Sequence, residues 1–373
     1  MFRRFRPLHL PGLALALILL VGLGSNVAAL VSGDGPRAGG DFSVRALAEG
    51  EPTAALGRFL LHHNPLADTL VAVDRAIAWN LVGDLGTRVR QGCPGWLFLT
   101  DELELHPDAD RALAERVGIV RRVAAFLQRR NIALVVALVP DKSRVEAAEL
   151  CGLDRPAALA PRYREAMSAL AAAAAPIRTA DLLEPLSALD GERYYRTDTH
   201  WNERGARTAA EAIAAALRRA GLAPPPGQAE FRIAKGKPHE RVGDLIRLAG
   251  LDEVPLPFRP RGDEVADSEI AQSAKAGTGL FDELPAPQVA VIGTSFSRRA
   301  NFTNFLAMAL TAPVIDKAED GGSQTKAAIA YFADPAFTAA PPRVIVWEIP
   351  ERIVQTPVAA SEMAWAAGLS GEK

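Results

Sequence analysis

Two short segments of this chain combine residue types suited to nucleophilic catalysis. The first is Val289-Ala290-Val291-Ile292-Gly293-Thr294-Ser295-Phe296-Ser297. Its apolar half reads as a strand buried on both faces, which puts Gly-Thr-Ser at the carboxyl end of that strand. Active sites of open α/β sheets lie at such ends. A serine there projects its hydroxyl into a cleft, and the N–H groups of the turn can hold an oxyanion. The spacing is not the Gly-x-Ser-x-Gly elbow, because Ser297 stands where the second glycine would be. Ser295 is the nucleophile candidate, with Ser297 and Thr294 as alternative hydroxyls. A serine that merely caps a helix is the plain alternative.

A serine hydroxyl needs an adjacent base to take its proton. The chain has six histidines. His200 lies in Arg196-Thr197-Asp198-Thr199-His200-Trp201-Asn202-Glu203. Asn202 is a suitable N-cap and Glu203 suits a first helical turn, so Asp198 to Trp201 falls on the loop before a helix. Residues two apart in extended backbone share a side, so Asp198 can orient His200 and stabilise its imidazolium if the local bend brings them together. His106 is the rival, because Glu104-Leu105-His106 repeats the acid-x-His spacing ahead of another helix. His9 lies in an apolar N-terminal run, His62 and His63 precede the main domain, and His239 has only Glu240 beside it. A metal site is the weaker reading of Asp198 and His200, since no third or fourth ligand stands at a recognisable spacing. No metal and no cofactor are expected.

The elements that must carry these segments alternate. Helices are expected over 108–130, 161–174, 202–219 and 301–312, and strands over 132–139, 177–182, 289–292, 314–316 and 343–349. That alternation predicts one α/β domain, residues 85–355, with a mostly parallel sheet and helices on both faces. Residues 222–287, rich in proline, glycine and charge, interrupt it as a long insertion, read as a lid or substrate-binding insertion, with an inert surface excursion as the alternative. Residues 356–373 read as a C-terminal tail. At the other end, Arg3, Arg4 and Arg6 precede an apolar run within residues 1–31 that is long enough to cross a bilayer. The positive-inside rule then sends the rest of the chain outward, as a single-pass inner-membrane protein with its catalytic domain in the periplasm. Val27-Ala28-Ala29 leaves cleavage as a signal peptide open. Residues 32–84 follow as a linker, flexible over 32–45, and a helical stem that runs to about Arg90 and breaks near Pro52 and Pro65. Export would put Cys93 and Cys151 where a bridge can persist, although two buried thiols fit as well. With 49% hydrophobic residues and a formal net charge of −2, the chain has a globular composition and no case for nucleic-acid binding.

The combination Asp198-Thr199-His200-Trp201 with Gly293-Thr294-Ser295-Phe296-Ser297 resembles the alginate O-acetyltransferase family of the AlgJ/AlgX type. Gly95-Trp96-Leu97-Phe98, Pro140-Asp141-Lys142, Gly243-Asp244-Leu245, Gly321-Gly322-Ser323 and the segment from Val346 to Arg352 are also similar, so the resemblance covers roughly 85–355. It implies an SGNH-hydrolase-like three-layer fold behind an N-terminal transmembrane helix, closest to the membrane-anchored AlgJ-like branch. It further implies acetyl transfer to an exported polysaccharide, with acetyl groups supplied by a membrane-bound O-acyltransferase. On this resemblance Ser295, His200 and Asp198 are nucleophile, base and orienting acid. The oxyanion-hole asparagine of hydrolase relatives has no clear counterpart; Asn301 and Asn304 are the nearest. Arg196, Arg298, Lys142 and Trp201 are candidates for holding an acidic glycan, against solvated surface roles for the arginines and core packing for the tryptophan. A carbohydrate acetylesterase and a non-catalytic polysaccharide-binding subunit are the competing readings.

Overall fold

The computed structural model describes residues 10–32, 43–173, 175–227, 229–274, 286–321 and 323–369. They fall into two compact units, Met1–Asp84 with Glu253–Arg259, and Leu85–Asp252 with Pro260–Lys373. In the first unit the helix Leu10–Ser32 carries a 22-residue apolar stretch, Leu10–Val31, long enough to cross a bilayer. Arg3, Arg4, Arg6 and most of the expected flexible linker lie outside the described residues. The stem forms helices Val44–Ala48, Glu51–His63 and Ala67–Val82. The stem breaks at Glu49 and Gly50, just before Pro52, which occupies the first turn of the next helix, where its missing N–H costs nothing. Pro65 falls between two helices, and the stem ends at Val82 rather than Arg90, which belongs to the strand Val89–Gln91.

The second unit is built on five strands: β1 Ala133–Val139, β2 Ile177–Asp181, β3 Val289–Ile292, β4 Val314–Asp316 and β5 Val344–Pro350. Their order is β4-β3-β5-β1-β2, and every neighbouring pair is parallel. Alternate side chains divide between two cores, as the period of a strand requires. Leu134, Val136, Leu138, Ile345 and Trp347 pack with helices Ala109–Gln128, Arg162–Ala172 and Lys326–Ala333. Val135, Ala137, Val139, Val344 and Val346 face helices Glu203–Arg219 and Phe302–Leu310. The result is a three-layer α/β/α fold. The buried stripe of Glu203–Arg219 is mostly alanine, at Ala206, Ala209, Ala210 and Ala214, so its backbone can lie close to the sheet.

Two expectations change here. The expected C-terminal tail contains the helix Ala360–Gly368, whose Ala366 is buried in the first core. The insertion is more ordered than its composition suggests, and Arg241, Asp244 and Arg247 from it line the cleft at Ser295. It holds two antiparallel pairs, Ala229–Lys235 with Ser268–Ala274 and His239–Arg241 with Asp263–Val265, and the short helix Asp244–Leu248. Proline and charge hid these strands because they cover a flank of the unit and do not build its core.

Cys93 and Cys151, 58 residues apart, form a disulfide. It links the turn between strands Val89–Gln91 and Leu97–Leu99 to the end of the 3-10 helix Ala147–Leu150. Replacing both cysteines by serine is expected to destabilise the protein by about 4 kcal/mol in the chain-entropy picture. Denaturant midpoints of the oxidised and substituted proteins test this; coincident midpoints would leave the bridge without a stabilising role.

Candidate active site

The carboxyl end of β3 turns directly into the short helix Ser295–Arg298. Thr294 caps it, accepting from the Phe296 N–H at 3.3 Å. The turn rests on Glu348, a fully buried carboxylate on the adjacent strand β5. Glu348 accepts from the Thr294 N–H at 2.7 Å, the Thr294 hydroxyl at 3.1 Å and the Ser297 hydroxyl at 3.1 Å. Burial raises this carboxyl above the usual range, while the Thr294 and Ser297 donors oppose that. A Cβ on Gly293 would lie 2.5 Å from Glu348 Oε2, so only glycine lets the strand pass this carboxylate. The two alternative hydroxyls are thereby occupied. Ser295 alone of the three faces His200.

His200 sits on a tight loop closed by the bridge between Tyr194 and Trp201, with the Tyr195 N–H donating to His200 O at 3.1 Å. The loop bends so that Asp198 Oδ1 accepts from both the His200 amide, at 3.0 Å, and Nδ1, at 2.5 Å. Ser295 Oγ lies 2.7 Å from Nε2. Burial alone would raise the Asp198 carboxyl, but the hydrogen bond and charge of His200, with Arg241 beyond, hold it well below the carboxylate range. Asn202 caps the following helix, accepting from the Arg204 and Gly205 amides. Asp198, His200 and Ser295 therefore meet in one chain of hydrogen bonds, whereas His106 lies in the turn before Ala109–Gln128, away from the cleft they line.

Other candidates are placed differently. Trp201 is no sugar platform: it is 0% exposed, donates to Phe296 O at 3.1 Å and stacks on Phe302. Lys142 is likewise 0% exposed, and its ammonium donates to Leu97 O at 2.6 Å, Arg196 O at 2.9 Å and Asp198 O at 3.0 Å. Burial pushes it down to about 8. It holds the loop that carries His200 and is out of reach of a glycan. The half-exposed Arg196 guanidinium faces Asp263 at 3.8 Å. Arg298 lines a neighbouring cavity with Lys317 and Asp334. The cleft at Ser295, of about 600 Å³, is bordered by Arg241, Arg247 and Arg299. Asn301 gives its amide to Glu203 and Ser268 O, and Asn304 gives its own to Asn301, so both are engaged away from Ser295.

Sequence reasoning missed Glu348, Arg241 and the approach of Asp244 to His200. Asp244 Oδ2 stands 3.6 Å from His200 Nδ1. Its only advance signal was the Gly243-Asp244-Leu245 segment. Donor atoms of Asp198, His200 and Asp244 lie within 4.8 Å of one another. With Nδ1 donating to Asp198 and Nε2 facing Ser295, both ring nitrogens already have partners.

Residues 89–351 match the family described as SGNH hydrolase-like domain, acetyltransferase AlgX. The chain belongs to this family. Within the AlgX-type family it is similar to the probable alginate O-acetylase AlgJ of Azotobacter vinelandii, 32% identical over 304 residues that cover 79% of this chain and 77% of that protein. The protein of the same name from Pseudomonas aeruginosa is 34% identical over 273 residues, 70% and 69% of the two chains. Among solved structures, the O-acetyltransferase domain of Pseudomonas putida AlgJ superposes with a TM-score of 0.65 at 30% identity, covering 76% of this chain and 98% of that one. Pseudomonas aeruginosa AlgX, at 24% identity and a TM-score of 0.57, shares the fold, covering 76% and 67%. AlgX-type membership accounts for the SGNH-like arrangement of strands and for the sequence signatures that lie outside the cleft. Pro140-Asp141 and Glu351, for instance, tie β1 to β5, with the Asp141 N–H donating to Glu351 at 3.0 Å and Arg162 bridging both carboxylates.

Exchanging Lys142 for methionine keeps the volume but strands three buried carbonyls. Each costs about 1–3 kcal/mol, so a loss of about 3 kcal/mol or more is expected in urea unfolding. Wild-type stability in this variant would mean that the loop holds itself.

Proposed function

We propose that this chain is an O-acetyltransferase that moves acetyl groups onto hydroxyls of an exported, alginate-like polysaccharide through an acetyl-enzyme on Ser295. The observation that carries the reading is the 2.7 Å contact between Ser295 Oγ and His200 Nε2, with Asp198 behind the imidazole, at the edge of an open cleft. Membership of an acetyltransferase family and the named activity of its AlgJ relatives support the reaction and the glycan.

The steps follow from the geometry. Ser295 Oγ attacks the acetyl carbonyl carbon of the donor as its proton passes to His200 Nε2. Asp198 keeps the imidazole in the tautomer with Nδ1 protonated and stabilises the imidazolium. As the first residue of a helix, Ser295 carries an amide without an intrahelical acceptor, suited to the developing oxyanion. Collapse breaks the bond to the donor oxygen, which takes the proton from Nε2 and leaves acetyl-Ser295. A sugar hydroxyl then gives its proton to His200 and attacks the same carbonyl. Ser295 departs and regains the proton. The apolar helix Leu10–Ser32 supports single-pass anchoring in the inner membrane, with the catalytic unit in the periplasm. In that position a membrane-bound O-acyltransferase is the natural source of acetyl groups.

Full-length protein incubated with an acetyl-ester surrogate is expected to show an acetyl adduct on Ser295 by intact mass and peptide mapping. Ser295→Ala should lose it, with turnover falling about 10³-fold or more. An adduct that persists in Ser295→Ala would overturn the assignment. Adding an acceptor oligosaccharide should divert acetyl from water to sugar; acetate release unchanged by acceptor would make the protein an esterase.

A further inference from the structure

The insertion meets the loop that carries His200 at several places: Asp263 accepts from the Arg196 and Thr197 N–H groups at 2.6 and 3.0 Å, and a second approach is made at Gly243. A Cβ on Gly243 would lie 2.0 Å from Thr197 O, so only glycine permits this approach. The Leu245 N–H donates to that same carbonyl at 3.2 Å. Between them, Asp244 is fastened on three sides. Its Oδ1 accepts from the Thr199 N–H at 2.7 Å and its Oδ2 from the Thr199 hydroxyl at 2.5 Å. Its own N–H donates to Asp198 Oδ2 at 3.3 Å. Thr199 and Asp198, the two residues before His200, are thus both bound to Asp244.

The imidazole therefore has two carboxylates at its Nδ1 edge, Asp198 at 2.5 Å and Asp244 at 3.6 Å. Glu240, Arg247, Arg299 and Asp320 line the same cleft. Arg241, on the strand His239–Arg241, reaches Asp198 Oδ2 at 3.6 Å and stacks over Tyr195. The Lys142 ammonium binds the Asp198 carbonyl. Phe296 packs its ring 4.9 Å from the imidazole, and Ser295 takes Nε2. Asp244 is 30% exposed at its side chain and stands on the cleft wall.

We propose that Asp244 is a positioning residue for the proposed base: delivered by the insertion, it clamps the Asp198–His200 loop and adds a second negative charge to the imidazolium. The proposal rests on the assignment of Ser295 as nucleophile and His200 as base. Its chemical content is electrostatic. When Ser295 gives its proton to Nε2, the positive charge created on the ring faces two carboxylates, and a nearby opposite charge favours the charged form. Removing the Asp244 charge therefore does two things. Protonation of the resting imidazole, which silences the base, moves to lower pH. The imidazolium formed in the transition state also loses support, so the rate on the plateau falls.

The test is a pH–rate profile of the full-length protein in detergent, with the acetyl-ester surrogate as donor. Asp244→Asn is close to isosteric. Its acidic limb is expected to shift down by about one pH unit, and its plateau to fall about tenfold, in kcat with KM little changed. Asp244→Ser, a second neutral variant, should shift the limb the same way, and serves alone if the asparagine variant does not fold. Asp244→Glu keeps the charge and should keep the limb. A merely structural role would lower the active fraction without moving the limb in any variant, and that result overturns the proposal. Failure of the underlying assignment is distinguishable, because Ser295→Ala would then still form the adduct. Loss of the adduct in Ser295→Ala with an unmoved limb in both neutral Asp244 variants overturns the Asp244 proposal alone.

Discussion

Three carbonyl oxygens, from Leu97, Arg196 and Asp198, converge on the ammonium of Lys142, a charge with no exposure to solvent. A buried ammonium is tolerated only where all its donors are used. That requirement draws the hairpin residue Leu97, the loop 194–201 and the carboxyl end of β1 to one point. The loop has little regular structure of its own beyond the bridge at Tyr194 and Trp201. Without a fixed cation beneath it, these carbonyls would lose their donors. The position of His200 follows from this arrangement, and so does the direction in which Nε2 points.

A second buried polar group does the corresponding work for Ser295. Glu348 gathers three donors from the turn after β3, and the parallel register of β5 with β3 puts it there, because Trp347 pairs with Ile292. Ser295 and His200 come from segments 95 residues apart. Each is held by a buried polar group on a different central strand or its end. The pair is precise because β1 and β5 are themselves neighbours in full register from Val344 to Pro350. Edge-on packing of Phe296 against Trp201, and the Trp201 N–H to Phe296 O, join the two segments on the inner side.

The sequence by itself determined much of the scaffold. Apolar runs such as Leu134 to Val139 and Val289 to Ile292 can satisfy both faces of a buried strand, and they did so where expected. The Asn202 cap, the alanine stripe behind it and the strand-end position of Ser295 are local properties, written in spacing and residue type. The pairing of Asp198 with His200 was legible as a spacing. The bend that closes it was not, because it depends on Lys142 and on the Tyr194–Trp201 bridge.

Only the tertiary structure decided which polar residues face the cleft and which carry the fold. Lys142 and Trp201 have side chains suited to a glycan, yet both are buried, because ammonium donors and an indole N–H can also satisfy main-chain carbonyls. The contacts that set Ser297 and Thr294 apart from Ser295 depend on Glu348, which stands 51 residues from Ser297 in the chain. Asp244 lay in a stretch without periodicity and reached the imidazole through a close backbone approach at Gly243. Such long-range polar contacts leave no period in a sequence. Burial of apolar surface is repetitive and therefore readable, whereas the satisfaction of one buried donor by one acceptor is a single event that the folded chain alone specifies.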